Sequence, residues 1–95
     1  MTAFSFDRSV RAPAHVLARE LDGESILLNL DTEIYFGLDE VGTRVWNVVT
    51  NAPSVQAAYD SLLGEYDVSP DVLRRDMEAL LSQLLERGLL ELTDD

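Results

Sequence analysis

The sequence predicts an α+β domain in which a three-stranded antiparallel β-meander precedes three α-helices. Three observations lead there. Turn signals at Asp22-Gly23 and Asp31-Thr32 separate short apolar runs of strand length. From Asp39 onward the apolar period lengthens to that of a helix. Helix-capping residues then recur at Asp39, Ser54 and Ser69.

Residues 1–14 have no clear period, and Pro13 after Ala12 suggests an extended or flexible segment ahead of a domain spanning 15–92. Val16 to Leu21 reads as the first strand. Asp22-Gly23 follows as a tight primed turn, which needs positive φ values that glycine tolerates. The second strand, Ser25 to Leu30, places Ile26, Leu28 and Leu30 on one face and Leu27 on the other. After Asp31-Thr32, Glu33 to Leu38 forms the third strand, with Ile34, Phe36 and Leu38 on one side and Tyr35 on the other.

Asp39 caps the first helix, and Glu40 suits the positive end of its dipole. Val41, Val45, Val48 and Val49 mark one side to about Asn51, with Trp46 beside them. Gly42 weakens this helix by roughly 1 kcal/mol relative to alanine, which points to close backbone packing there. Ser54 caps a second helix to about Glu65, with Val55, Ala58, Leu62 and Tyr66 at core spacing. Ser69-Pro70-Asp71 opens a third, which runs to about Arg87 and stops at Gly88. Leu89 to Leu92 reads as short and extended, and residues 93–95 as a frayed end. This order suggests the winged-helix kind of architecture.

Composition removes several functions. With 46% hydrophobic residues, disorder is a poor reading, and no apolar run reaches the ~18 residues of a membrane span. The first ten residues do not resemble a secretory signal, so a cytoplasmic protein is expected. There is no cysteine, so no disulfide, thiolate nucleophile or zinc-thiolate site. All seven basic residues are arginine and His15 is the single imidazole, which speaks against catalysis. Asp39-Glu40 and Asp94-Asp95 lack the alternating spacing of calcium loops, so neither metal nor cofactor is expected. A net charge of −11 repels phosphate backbones and anionic membranes. The natural partner is a basic or apolar peptide or protein.

The strand Ile34-Tyr35-Phe36-Gly37-Leu38 is the strongest functional lead. An apolar outer strand is ordinarily an aggregation hazard, so a chain that keeps one is offering it to a partner. The third helix carries two adjoining apolar stripes, one through Leu73, Met77, Leu80 and Leu84 and the other through Leu81 and Leu85. Two arrangements satisfy this. The helix is buried on both sides, or one stripe packs inward while the other lines a groove along the third strand. Arg74, Arg75, Asp76, Gln83 and Arg87 are placed to rim such a groove.

Gly23-Glu24-Ser25-Ile26-Leu27-Leu28-Asn29-Leu30-Asp31-Thr32, followed by Tyr35-Phe36-Gly37-Leu38-Asp39-Glu40-Val41-Gly42 and Val45-Trp46, resembles the PqqD-like family of RiPP precursor-peptide recognition elements. Within it the chain is most similar to the small standalone members of lasso-peptide clusters. The resemblance covers residues 15–92. It implies a domain without catalytic activity or cofactor that holds the leader of a ribosomally made precursor peptide as an added strand. It also implies a partner enzyme: a leader peptidase and then a cyclase in lasso systems, or a radical-SAM enzyme in the quinone-cofactor pathway. Carried onto this chain, the peptide-binding residues are Glu33, Ile34, Tyr35, Phe36, Gly37 and Leu38 on the strand, with Asp76, Met77, Leu80, Gln83 and Leu84 on the helix. The family often has glycine where this chain has Glu33, which bears on the turn type and sets a negative charge at the groove mouth, favouring a basic leader residue nearby. The alternatives are a winged-helix DNA-binding regulator and a stabilising enzyme subunit. An exposed edge also permits either a monomer or an edge-strand dimer.

Overall fold

A computed structural model describes residues 5–93. Eight elements follow in order: β1 (Ser9–Arg11), β2 (Val16–Leu21), β3 (Glu24–Asn29), β4 (Ile34–Leu38), α1 (Glu40–Val49), α2 (Val55–Glu65), α3 (Pro70–Glu86) and β5 (Glu91–Thr93). The expected meander is the antiparallel sheet β2-β3-β4, and the three expected helices follow it. Its first turn has Asp22 at φ 56° and Gly23 at φ 83°, the paired positive angles of the primed hairpin.

Each helix start uses its capping residue. Asp39 accepts from the Gly42 N–H at 2.8 Å, Ser54 from Ala57 at 3.0 Å, and Ser69 from Val72 at 3.3 Å. At the end of α3, Gly88 turns left-handed at φ 70°. The Leu89 and Gly88 N–H groups then bond back to the Leu84 and Leu85 carbonyls at 2.9 and 3.2 Å. These two bonds satisfy carbonyls that the helix leaves orphaned, and Leu84 and Leu89 meet in the core beside them.

The N-terminal stretch is more than an extended lead-in. β1 pairs antiparallel with β5, in the register Ser9–Thr93, Val10–Leu92 and Arg11–Glu91. The Arg8 and Phe6 carbonyls accept from Val55 and Gln56 at 2.8 and 2.7 Å, taking up N–H groups at the start of α2. Phe6 and Val10 are buried, and Arg74 lies 4.0 Å above the Phe6 ring centroid. Three-residue strands carry no period of their own, which is why this ribbon leaves little trace in the sequence.

The core lies between the sheet and the helices. Leu27 enters it from β3, Val45, Trp46 and Val49 from α1, Val55, Ala58 and Leu62 from α2, and Leu73, Met77, Leu81 and Leu84 from α3. Ser25 and Thr43 are buried with it and hydrogen-bond each other at 2.7 Å, so neither hydroxyl is stranded. Val41, expected on the buried side of the first helix, is exposed. The α3 stripes also divide differently from the expectation. Leu81 joins the inward seam, while Leu80 sits half-buried at its edge. The division follows the packing of α3 on α2, which turns the seam centred on Met77 and Leu81 toward the core.

Candidate functional site: an open strand edge beside a cleft

β4 pairs with β3 along one edge, in the register Ser25–Leu38 through Asn29–Ile34. Its other edge has no partner strand among the described residues, because β5 pairs with β1 at a separate sheet. Alternate residues of an edge strand direct their N–H and C=O groups outward, so β4 offers a row of main-chain donors and acceptors. None of its side chains carries charge.

Beyond that edge lies a cleft of about 580 Å³. Phe36, Gly37, Leu38 and Asp39 form its strand wall, Val41, Gly42 and Val45 of α1 its end, Tyr66 and Val68 its far side, and Val72, Leu73, Asp76, Met77 and Leu80 of α3 the opposite wall. Gly42 allows the close approach at one corner. A Cβ there would stand 3.2 Å from Leu38 Cδ2 and 3.3 Å from Asp39 Oδ1, tighter than ordinary contact.

The two walls run in opposite directions. The first half of α3 faces the Leu38–Asp39 end of β4. Its C-terminus is tied to the other end, where Asn29, the register partner of Ile34, donates to the Arg87 carbonyl at 3.1 Å. Asn29 also organises the turn before β4, accepting from Asp31 and Thr32 at 2.9 and 3.2 Å. One buried amide thus sets both the turn and the helix end against each other.

In that turn Glu33 adopts φ 62° and donates its N–H to the Asn29 carbonyl at 2.7 Å. The left-handed geometry that glycine would ease is therefore kept with glutamate in place, at a cost of about 1–2 kcal/mol in backbone strain.

Phe36, Gly37, Leu38, Asp76, Met77 and Leu80 all line the cleft. Ile34 lies at the end of the open edge on the Phe36 face, and Glu33 in the turn beyond it. Tyr35 points to the opposite face and is 71% exposed. Gln83 is exposed one turn past Leu80, whereas Leu84 is fully buried in the core and reaches no groove. Sequence reading missed Asp39, Val41, Val45, Tyr66, Val68 and Val72 as lining residues. Val72 carried a signal: it is apolar at the start of the third helix and belongs to neither of that helix's two stripes.

A second concavity, about 900 Å³, lies on the outer face of the sheet, lined among others by Leu17, Leu21, Ile26, Leu28 and Tyr35. Leu17, Leu21 and Ile26 are 54%, 76% and 55% exposed, so this face is an uncovered apolar patch. The sequence signal was a strand apolar on both faces, with Ile26, Leu28 and Leu30 opposite Leu27.

A three-stranded meander with one bare edge, set against a helical trio across an apolar cleft, defines a small winged-helix-like α+β domain with an accessible strand. The chain belongs to the PqqD family: the model described as coenzyme PQQ synthesis protein D matches residues 24–90. Among solved structures it is similar to TbiB1 in complex with the TbiA(beta) leader peptide, at 33% identity and a TM-score of 0.80, covering 90% of this chain and 99% of that one. It also shares the fold of a lasso peptide synthetase B1 complexed with its leader peptide, at 22% identity and a TM-score of 0.77, covering 87% and 98%. No curated protein sequence matches it.

Proposed function

We propose that this protein is a non-catalytic adaptor that holds the leader region of a ribosomally synthesised precursor peptide and presents it to a modifying enzyme. The observation that carries this reading is the bare apolar edge of β4 beside the α3 cleft. A leader laid there adds a fourth strand through main-chain bonds, and its alternate side chains enter the cleft between Leu38, Met77 and Leu80. The similarity to TbiB1, a structure that contains a leader peptide, supports the same use of this surface. Within lasso-peptide biosynthesis the receiving enzyme is a leader peptidase followed by a cyclase. A cytoplasmic location accompanies this role.

An adaptor needs two surfaces, and the apolar outer face of the sheet supplies the second. A DNA-binding role is disfavoured: Arg74 is stacked on Phe6, Arg87 on Phe36, and the molecule carries a net charge of −11. Catalysis is disfavoured as well, since His15, the one imidazole, sits at the surface 3.8 Å from the Asp31 carboxylate.

The test is a titration of the precursor leader into the labelled protein, followed by amide NMR and hydrogen exchange. Shifts and new protection should concentrate in 34–38 and 72–87. A cognate leader that leaves those amides unchanged at high micromolar concentration removes the proposal.

A further inference from the structure

Two carboxylates, Asp39 and Asp76, line the cleft, and a guanidinium, Arg87, lies over Phe36 of its strand wall. Val72, Asp76, Leu80, Gln83 and Arg87 are spaced by four, four, three and four residues, which places them in one line on α3. The first charge on that line is a carboxylate, Asp76, and the last is a guanidinium, Arg87. Asp76 lines the cleft at the end where Asp39 also stands, and neither Asp76 nor Arg87 has an opposite charge within ion-pair distance among the described residues. Arg87 is instead held 5.4 Å from the ring centroid of Phe36, the residue that lines the strand wall. An unpaired arginine laid over a groove aromatic, on a molecule with eighteen acidic residues, is placed to meet a guest's carboxylate.

We infer that the groove selects a guest strand with a basic residue at its Asp76 end and an acidic residue at its Arg87 end, separated by an apolar stretch. This deepens the leader-binding proposal and rests on it. The order along the guest follows from topology. The sheet is antiparallel throughout, and a fourth strand added to β4 in the same sense runs parallel to α3. The basic residue therefore precedes the acidic one. Eleven residues of helix between Asp76 and Arg87 span roughly 16 Å, which an extended guest covers in about five residues. The recognised pattern is Lys or Arg, then about four residues with apolar side chains at alternate positions, then Asp or Glu.

Glu33 makes the opposite demand at the Arg87 end, since it carries a carboxylate in the turn that leads into β4 without forming an ion pair to Arg87. Both side chains are exposed, but the Arg87 guanidinium is held over the ring of Phe36 on the strand wall, whereas Glu33 stands in the turn before β4, so Arg87 is the nearer charge to a guest on that wall. Glu33→Gln should accordingly tighten binding of an acid-ended guest by a few fold.

The experiment uses the full chain and three synthetic dodecamers with identical alternating apolar residues: Lys before Glu at a separation of five, the two exchanged, and Gln at both positions. Calorimetry at low salt should rank Lys-before-Glu tightest, the Gln peptide second and the exchanged peptide weakest, with roughly tenfold or more between the first and the last. The gap should shrink in 1 M salt while binding itself persists. Arg87→Glu should remove the preference at the acidic position, and pairing it with a peptide carrying Lys there should restore affinity. Equal affinities for all three peptides overturn the charge inference and leave the groove intact. Tighter binding of the exchanged peptide overturns the assigned direction. If no peptide of any pattern perturbs the β4 amides, the leader-binding proposal falls together with it.

Discussion

The sheet has two outer strands, and they are built to opposite specifications. β2 carries Arg19 and Glu20 in its middle, and Glu20 accepts from Asn47 of α1 at 3.2 Å. Charges on an edge discourage pairing with another chain, because a stacked strand would desolvate them. β4 carries no charge and borders a cleft of about 580 Å³. One edge is guarded and the other is left available. Under the proposed function, the guarded margin prevents self-pairing while the bare one, with its apolar trough alongside, takes the extended leader.

The largest expected effect attacks the main-chain bonds themselves. A leader N-methylated at the alternate positions that face β4 should lose about 100-fold in affinity, the worth of roughly three net hydrogen bonds. The offset set of N-methyl groups should bind nearly normally, and isothermal titration separates the two. Equal weakening by both sets would mean that the guest is not an added strand. Next, Leu80→Asp places a carboxylate on the cleft wall. Because Leu80 is half-buried rather than core, leader affinity should fall tenfold or more with little change in melting temperature.

The contrast between the edges is tested from the other side by Arg19→Val combined with Glu20→Val. Stripping the charge from β2 should produce concentration-dependent self-association on size-exclusion chromatography, with leader binding retained. An unchanged monomer would show that those charges do not guard the edge. Glu33→Gly relieves the left-handed strain before β4 and should stabilise the fold by about 0.5–1 kcal/mol after the entropy cost of glycine, read by urea denaturation.

The smallest effect concerns the clamp between α1 and the end of α2. Arg44 donates to both Glu65 carboxylate oxygens at 2.8 and 2.7 Å. The hydrogen bond and charge of Arg44 hold the Glu65 carboxyl below its ordinary value, and the Arg44 guanidinium is raised in turn. A lowered carboxylate pKa contributes stability above its unfolded value and loses it as pH falls through the folded value. Both groups are at the surface, so the contribution is small. Arg44→Gln should lower the melting temperature slightly at neutral pH, and the difference should vanish in acid.

Much of the fold was legible because its signals are local. The Asp22-Gly23 turn, the caps Asp39, Ser54 and Ser69-Pro70, and the stop at Gly88 each act through a φ preference or a hydrogen bond within a few residues. The open strand was legible for a similar reason, since five uncharged residues between a turn and a helix cap need no distant information. The β1–β5 ribbon was not, because it joins Ser9 to Thr93 and short strands acquire meaning only when paired.

By itself, the sequence determined the order of the three meander strands and three helices, the helix starts, the uncharged strand and the absence of thiol and lysine amine chemistry, all consequences of side-chain type and nearest-neighbour geometry. Tertiary structure alone decided that Leu27 rather than Ile26 faces inward, that Leu81 rather than Leu80 joins the core, and that Asp76 lines the cleft while Arg87 lies over Phe36 of its strand wall. The physical reason is that period assigns residues to faces, whereas the packing partner chooses which face is dry.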